Sequence, residues 1–328
     1  MSMDPCPEVR RPDGTLRAFV EARQLVPATI LPLLERAEAL AAGAEPKGVP
    51  PASAATLLFQ QPSTRTFLSF AHAAGALGYH VADLRDMSTT SFEKGESQED
   101  GWRTIAELSE LIILRQPSHD ALLDLVRSTS KLARPPIVVN AGSGPLEHPT
   151  QSLIDVATLH RRKMLDPSKG PRHMVFVGDL QRSRTVNSLL DILLGWSHIT
   201  FTFVPVAGLG PSECRLDALR AMGCTFEVCA DLDDALTKAD GVYLQRLQDE
   251  YGGGDACRHE AALDALRLTP ERMDRLPEHA VVMHPLPRRK EIDPATDQDP
   301  RAGWWETVHH GRFVRTALLE SLQPARSS

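Results

Sequence analysis

A chain of 328 residues with 42% hydrophobic and 24% charged side chains carries enough apolar material for two ordinary domains and too much for wholesale disorder. Its formal charge of −7 speaks against a broad nucleic-acid-binding surface, although a local cluster of arginines still draws a small anion into a cleft. The absence of an apolar run near the ~18–20 residues of a membrane span, of a basic-then-apolar leader, and of any CxxC pair among the five cysteines predicts a protein of the reducing cytoplasm.

The Ala-rich stretch 20–43 predicts one or two helices, interrupted near Pro27 and Pro32. Short apolar runs then alternate with helical patterns. Segments 54–59, 80–84, 111–114 and 137–140 read as strands, with helices starting near Ser63, Gln98, Ser118 and Pro149. A second series follows Lys169-Gly170-Pro171. Its strands are 174–177, 200–204, 225–228, 242–244 and 280–283, with helices from near Arg184, Ser212, Leu232 and Thr269. This βαβ rhythm predicts an α/β protein of two domains, each a parallel sheet covered by helices on both faces. The expected division is 1–150 and 151–328, joined by a helix near 151–162, with a C-terminal helix near 310–322 packing back on the first domain.

In open parallel sheets ligands bind beyond the carboxyl ends of the strands, and three polar stretches lie there. The first, from Phe59 to Thr66 (FQQPSTRT), brings two hydroxyls, a guanidinium and free N–H groups to a helix start, which suits a phosphate. An ordinary Ser/Thr cap beside a surface arginine explains the same residues. The second, Asn140 to Gln151 (NAGSGPLEHPTQ), offers an amide and the imidazole of His148, whose ordinary reading is an exposed or structural histidine. The third, Met283 to Arg288 (MHPLPR), is a rigid loop whose carbonyls either receive a substrate amine or simply turn the chain.

Taken together and in order, these stretches resemble the aspartate/ornithine carbamoyltransferase family, from about Leu57 to Leu319. Ser63-Thr64-Arg65-Thr66 is similar to the family's carbamoyl-phosphate loop, and Arg115 stands where the family has its Arg-His-Pro or Arg-His-Ser. The sequence His148-Pro-Thr-Gln151 matches the family motif. His284-Pro-Leu286-Pro287-Arg288 and Arg246-Leu-Gln248 resemble the aspartate branch, and Ser91-Phe-Glu-Lys94-Gly-Glu resembles the mobile loop that one subunit lends to the next.

The resemblance implies a site in a cleft between the two domains and a division of labour. Ser63, Thr64, Arg65 and Thr66 would hold the phosphate, assisted by Arg115, Ser91 and Lys94. Thr66, Arg115 and His148 would donate to the carbamoyl oxygen, and Arg65 would act with them in catalysis. Gln151 would bind the carbamoyl NH₂, with Leu286 and Pro287 also against carbamoyl phosphate. Arg184, Arg246, Gln248 and Lys94 would grip the acceptor's carboxylates, and the Leu286 carbonyl would aim its amine. The implied reaction gives N-carbamoyl-L-aspartate and phosphate, a step of pyrimidine biosynthesis, without metal or organic cofactor. The implied assembly is a homotrimer with shared sites, possible within a larger complex, with neither nucleic acid nor membrane as a partner.

The chain departs from the family pattern at Gln61, where a glutamate is usual, and at Phe67 and Ala71, where arginine and glutamate are common. It departs again at Ser143, where an aspartate is usual, and at Tyr251, where an arginine often stands. In the family the glutamate and that last arginine help lock the closed form and orient the arginine corresponding to Arg184. The departures bear on acceptor identity and closure more than on carbamoyl phosphate. They keep open a different acceptor, such as a diamino acid, and a catalytically silent relative. Erosion of Arg65, Lys94, Arg115 or His148 would have favoured the silent relative, and all four stand. A nucleotide-dependent dehydrogenase is suggested by Gly178-Asp179 after a strand, but no GxGxxG follows and Gln181 to Arg184 would crowd a pyrophosphate.

Overall fold

The computed structural model describes residues 4–248 and 256–324, the side chains of 256–258 excepted. The chain forms two compact units. One takes the chain up to Ile154 together with the stretch from His310, and the other runs from Asp155 to His309.

In the first unit the elements are β1 (Ala18–Phe19), α1 (Pro27–Ala41), β2 (Ala54–Phe59), α2 (Thr64–Ala76), β3 (His80–Leu84), α3 (Gln98–Glu107), β4 (Leu111–Gln116), α4 (His119–Thr129), β5 (Ile137–Ser143) and the start of α5 (Pro149–Arg161). Five strands lie in the order β1-β5-β4-β2-β3, all parallel. Nearly every residue of β2, β4 and β5 is buried, so both faces of these strands are covered, as their unbroken apolar runs require.

Two readings of the sequence need correction here. The Ala-rich stretch is a single helix that opens on Pro27 and continues through Pro32, because Ile30, Leu33, Leu34, Ala37 and Leu40 form a buried stripe that outweighs the one missing N–H. The edge strand β1 was not anticipated; two residues are too short to show periodicity. It is fixed instead by Arg17, whose buried guanidinium donates to the carbonyls of Pro136, Glu8 and Val126. Burial above all, with the charge of Arg11, pushes the Arg17 pKa down to about 10.

The second unit holds β6 (Arg172–Gly178), α6 (Arg184–Leu193), β7 (Ile199–Pro205), α7 (Glu213–Ala221), β8 (Phe226–Val228), α8 (Leu232–Lys238), β9 (Gly241–Leu244), α9 (Ala256–Ala265), α10 (Pro270–Met273), β10 (Val281–Met283) and the beginning of α11 (Trp304–Ser321). Its parallel sheet has the order β10-β9-β6-β7-β8. Phe176, Phe201, Phe203 and Tyr243 pack on one another in its core, each worth about 1.5–3 kcal/mol by burial. The Tyr243 hydroxyl donates to Asp155 at 2.6 Å. Burial, and next the Asp155 charge, raise that phenol well above its ordinary pKa. The helix α9 was not expected, and the one expected near Thr269 is a single turn capped by the Thr269 hydroxyl. Among the described residues no helix is long and apolar enough to cross a membrane.

Candidate active site

Each sheet has one place where successive connections turn to opposite sides, and ligands of such sheets bind there. In the first unit the chain passes from β2 outward to β3 and then returns to β4 on the other side of β2. In the second it passes from β6 to β7 and β8 and returns to β9 beside β6. The residues singled out in the sequence lie at or after the carboxyl ends of these strands.

At the first switch point Phe59 pairs in register with Arg115, and the Gln60 N–H donates to the Arg115 carbonyl at 2.8 Å. Ser63 is the N-cap residue of α2, yet its side chain accepts no hydrogen bond from the first turn. The capping serines Ser97, Ser118, Ser183 and Ser212 all do accept one. The ordinary cap reading of Ser63 therefore finds no bond here, and a helix start of this kind suits an anion. Thr64 and Arg65 are exposed beside it, while Thr66 is buried, 5% exposed.

The Thr66 hydroxyl lies 3.5 Å from His148 Nε2, joining two of the expected carbamoyl-oxygen donors. His148 is 6% exposed and directly precedes α5, which opens on Pro149. Arg115 Nη1 donates to the Ala141 carbonyl at 3.2 Å, near the end of β5, the strand that leads to His148. Gln151 is half-buried in the first turn of α5. Ser91 and Lys94 are exposed on a 3-10 turn closed by Gly95 at φ +87°. Phe92 anchors that turn on α3: a Cβ added to Gly101 would come within 2.3 Å of its ring.

At the second switch point Arg184 opens α6 and Arg246 and Gln248 follow β9. The strand ends are drawn together at Gly178, at φ +108°, where a Cβ would lie 2.1 Å from the Gln245 carbonyl oxygen. That close approach accounts for the glycine which had suggested a dinucleotide turn. Leu286, at φ +55°, and Pro287, joined to it by a cis peptide bond, follow β10. The Leu286 N–H donates to His284 Nδ1 at 2.8 Å, and His284 Nε2 lies 2.9 Å from Glu291 Oε1, both side chains fully buried. Burial alone would raise the Glu291 pKa; the His284 hydrogen bond and charge prevail and hold it low. Arg288 pairs with Asp297, which also accepts from Trp304 at 2.9 Å.

Sequence reading missed the groups that hold these side chains. Asp179, fully buried, accepts from the Arg182 backbone at 3.1 Å and from the Gln248 N–H at 2.9 Å. The Ser183 hydroxyl donates to Gln245 Oε1 at 2.9 Å, tying the start of α6 to the end of β9. His119 and Glu21 form a similar frame around Ser143, together with the Asn140 amide that the sequence had singled out. No spacing marks such residues, because each joins segments distant in sequence. Tyr251 and the three glycines after it lie outside the described residues.

Comparison with known proteins accords with this geometry. The family model described as aspartate/ornithine carbamoyltransferase, carbamoyl-P binding domain, matches residues 17–161, and that of the Asp/Orn binding domain matches 171–322. The chloroplastic aspartate carbamoyltransferase of Oryza sativa subsp. japonica is 37% identical over 273 residues, 82% of this chain and 72% of that protein. The aspartate carbamoyltransferase catalytic subunit of Methanoculleus marisnigri is 32% identical over 290 residues, 88% of this chain and 94% of that protein. Among solved structures, aspartate transcarbamoylase from Trypanosoma cruzi with carbamoyl phosphate and aspartate superposes with a TM-score of 0.82 at 32% identity, covering 93% of this chain and 94% of that one. The catalytic subunit of M. Jannaschii aspartate transcarbamoylase gives 0.83 at 30% identity, covering 94% and 98%. With both domain models matched in order over most of its length, the chain belongs to the aspartate/ornithine carbamoyltransferase family.

Proposed function

We propose that the protein transfers the carbamoyl group of carbamoyl phosphate to the amine of L-aspartate, giving N-carbamoyl-L-aspartate and phosphate, a step of pyrimidine biosynthesis. The observation that carries this reading is the furnishing of the two switch points. One has an anion-ready helix start beside the Thr66–His148 pair, and the other has Arg184, Arg246 and Gln248 held on one frame.

Ser63, Thr64, Arg65 and Thr66 bind the phosphate group, with Arg115, Ser91 and Lys94. The acceptor nitrogen attacks the carbamoyl carbon as the carbon–oxygen bond to phosphate breaks, its electron pair leaving on the phosphate oxygen. Thr66, Arg115 and His148 donate to the carbamoyl oxygen as negative charge gathers there, roughly 3 kcal/mol for each well-aimed donor. Gln151 orients the carbamoyl NH₂, and Leu286 and Pro287 bound the same group. The departing phosphate takes the proton of the attacking amine, so the protein positions and polarises rather than acting as a general base. Arg184, Arg246, Gln248 and Lys94 bind the two acceptor carboxylates, and the Leu286 carbonyl receives the amine.

The exposed Lys94 turn supports a homotrimer in which each chain lends Ser91 and Lys94 to its neighbour, and the cysteine pattern supports a cytoplasmic setting. The function is tested with carbamoyl phosphate and a panel of amino acids, following phosphate release and product mass. Aspartate gives the highest kcat/KM, because bidentate arginine–carboxylate recognition rejects monocarboxylate amines. A higher value for ornithine or 2,3-diaminopropionate overturns the acceptor assignment.

A further inference from the structure

Behind the loop that leads to His148, in the first unit, lies a buried chain of polar groups. The Asn140 amide donates to the Val20 carbonyl at 2.7 Å and to Ser143 Oγ at 3.0 Å. Ser143 Oγ lies 2.9 Å from His119 Nδ1, and His119 Nε2 lies 3.0 Å from Glu21 Oε1. Arg23 pairs with the other oxygen of Glu21. Asn140 and Ser143 are fully buried, and Glu21 and the His119 side chain nearly so. The Gln24 side chain holds the Glu21 backbone in turn, accepting its N–H at 2.9 Å.

The groups fit one direction of hydrogen bonding. Burial favours the neutral acid of Glu21, but the bonds from His119 and Arg23 overcome it and hold its pKa low. An ionised Glu21 accepts from His119 Nε2–H. That leaves Nδ1 as an acceptor for the Ser143 hydroxyl, whose oxygen accepts from Asn140. Every member is satisfied, which a buried network needs in order to rigidify its surroundings.

What this network holds is the presentation of two substrate-binding side chains. Asn140 Oδ1 accepts the Gly142 N–H at 2.8 Å and so fixes the end of β5 around Ala141, whose carbonyl receives Arg115. Ser143 N–H donates to the Glu147 carbonyl at 3.0 Å, closing the turn that ends immediately before His148. Ser143 is also the position where the family pattern leads one to expect a carboxylate. Here the negative charge sits on Glu21 and reaches the loop through an imidazole.

We propose that Glu21, His119 and Ser143 are positioning residues of the carbamoyl-transfer reaction, forming a relay that fixes the loop presenting His148 and the carbonyl on which Arg115 rests. This inference rests on the carbamoyl-transfer reading above. Misplacement of donors by a fraction of an ångström weakens bonds made to the developing oxyanion more than it weakens ground-state binding.

The test compares wild type with Ser143→Ala, His119→Phe and His119→Gln by steady-state kinetics, thermal unfolding and the ¹⁵N shifts of His148. Ser143→Ala and His119→Phe should lower kcat about 10- to 100-fold, leave the KM for aspartate within about threefold, and shift the His148 ring resonances. His119→Gln should recover kcat to within about threefold, because its amide still carries one acceptor for the Ser143 hydroxyl and one donor for Glu21. If His119→Phe does not fold, Ser143→Ala, which removes a single oxygen, decides alone. Full kcat with only a lowered unfolding temperature means a structural network and overturns the proposal, as does a His119→Gln variant no better than His119→Phe. Wild type that forms no N-carbamoyl product sinks the functional reading and the relay with it. An active wild type with unaffected variants sinks the relay alone.

Discussion

Replacing His148 with alanine removes one proposed donor to the carbamoyl oxygen, from a ring at a helix start rather than in a sheet core. The expected result is a 10²- to 10³-fold lower kcat, on the order of 3–4 kcal/mol, with the unfolding temperature nearly unchanged. Arg65→Ala should instead abolish measurable carbamoyl-phosphate binding, because the exposed Arg65 stands in the first turn of α2, the proposed phosphate site. Near-normal turnover in either variant would remove that residue from the site. The buried His284–Glu291 pair makes a prediction about acid stability. Glu291 has its folded pKa depressed below the unfolded value of about 4.3. Its contribution is therefore fully present above that value and lost as pH falls through the folded one. In urea titrations the midpoint difference between wild type and Glu291→Gln should be largest above about pH 5 and shrink below about pH 4. A difference that grows on acidification would mean the pair is held together in some other way.

The turn that carries Ser91 and Lys94 depends on how it is seated on α3. Gly101 leaves room for the Phe92 ring, and a Cβ there would meet it at 2.3 Å, so Gly101→Ala should unseat the turn that carries Ser91 and Lys94. The expected outcome is a several-fold higher KM for both substrates with the sheet core intact, read from kinetics alongside near-UV circular dichroism. Unchanged KM values would show that the turn finds its place without Phe92. Most helices, α9 excepted, and the strands with four or more apolar residues were legible in the sequence, because period and turn chemistry mark them. The two-residue β1 was not, since a buried arginine and the edge of β5 fix it through contacts more than a hundred residues away in sequence. The candidate motifs stood out in the sequence because they lie at strand ends in contiguous runs. Their supports, Asp179, Gln245, His119 and Glu21, were not, because each acts across the fold and is ordinary in its own sequence neighbourhood.

At the scale of the whole molecule, the proposed sharing of sites between neighbouring copies through a closed heterologous interface is open to a complementation test. Lys94→Ala and His148→Ala proteins should each be nearly inactive. Dissociating, mixing and reassembling them should restore part of the activity, because some sites then receive an intact loop and an intact imidazole. No recovery from verified hybrid trimers would rule out sharing. The reaction itself is tested in one vessel by NMR, with ¹³C-labelled carbamoyl phosphate and L-aspartate. The predicted result is enzyme-dependent movement of the label into the ureido carbon of N-carbamoyl-L-aspartate, matched mole for mole by released phosphate. Label recovered only in the products of spontaneous carbamoyl-phosphate breakdown, at the rate seen without protein, would contradict it.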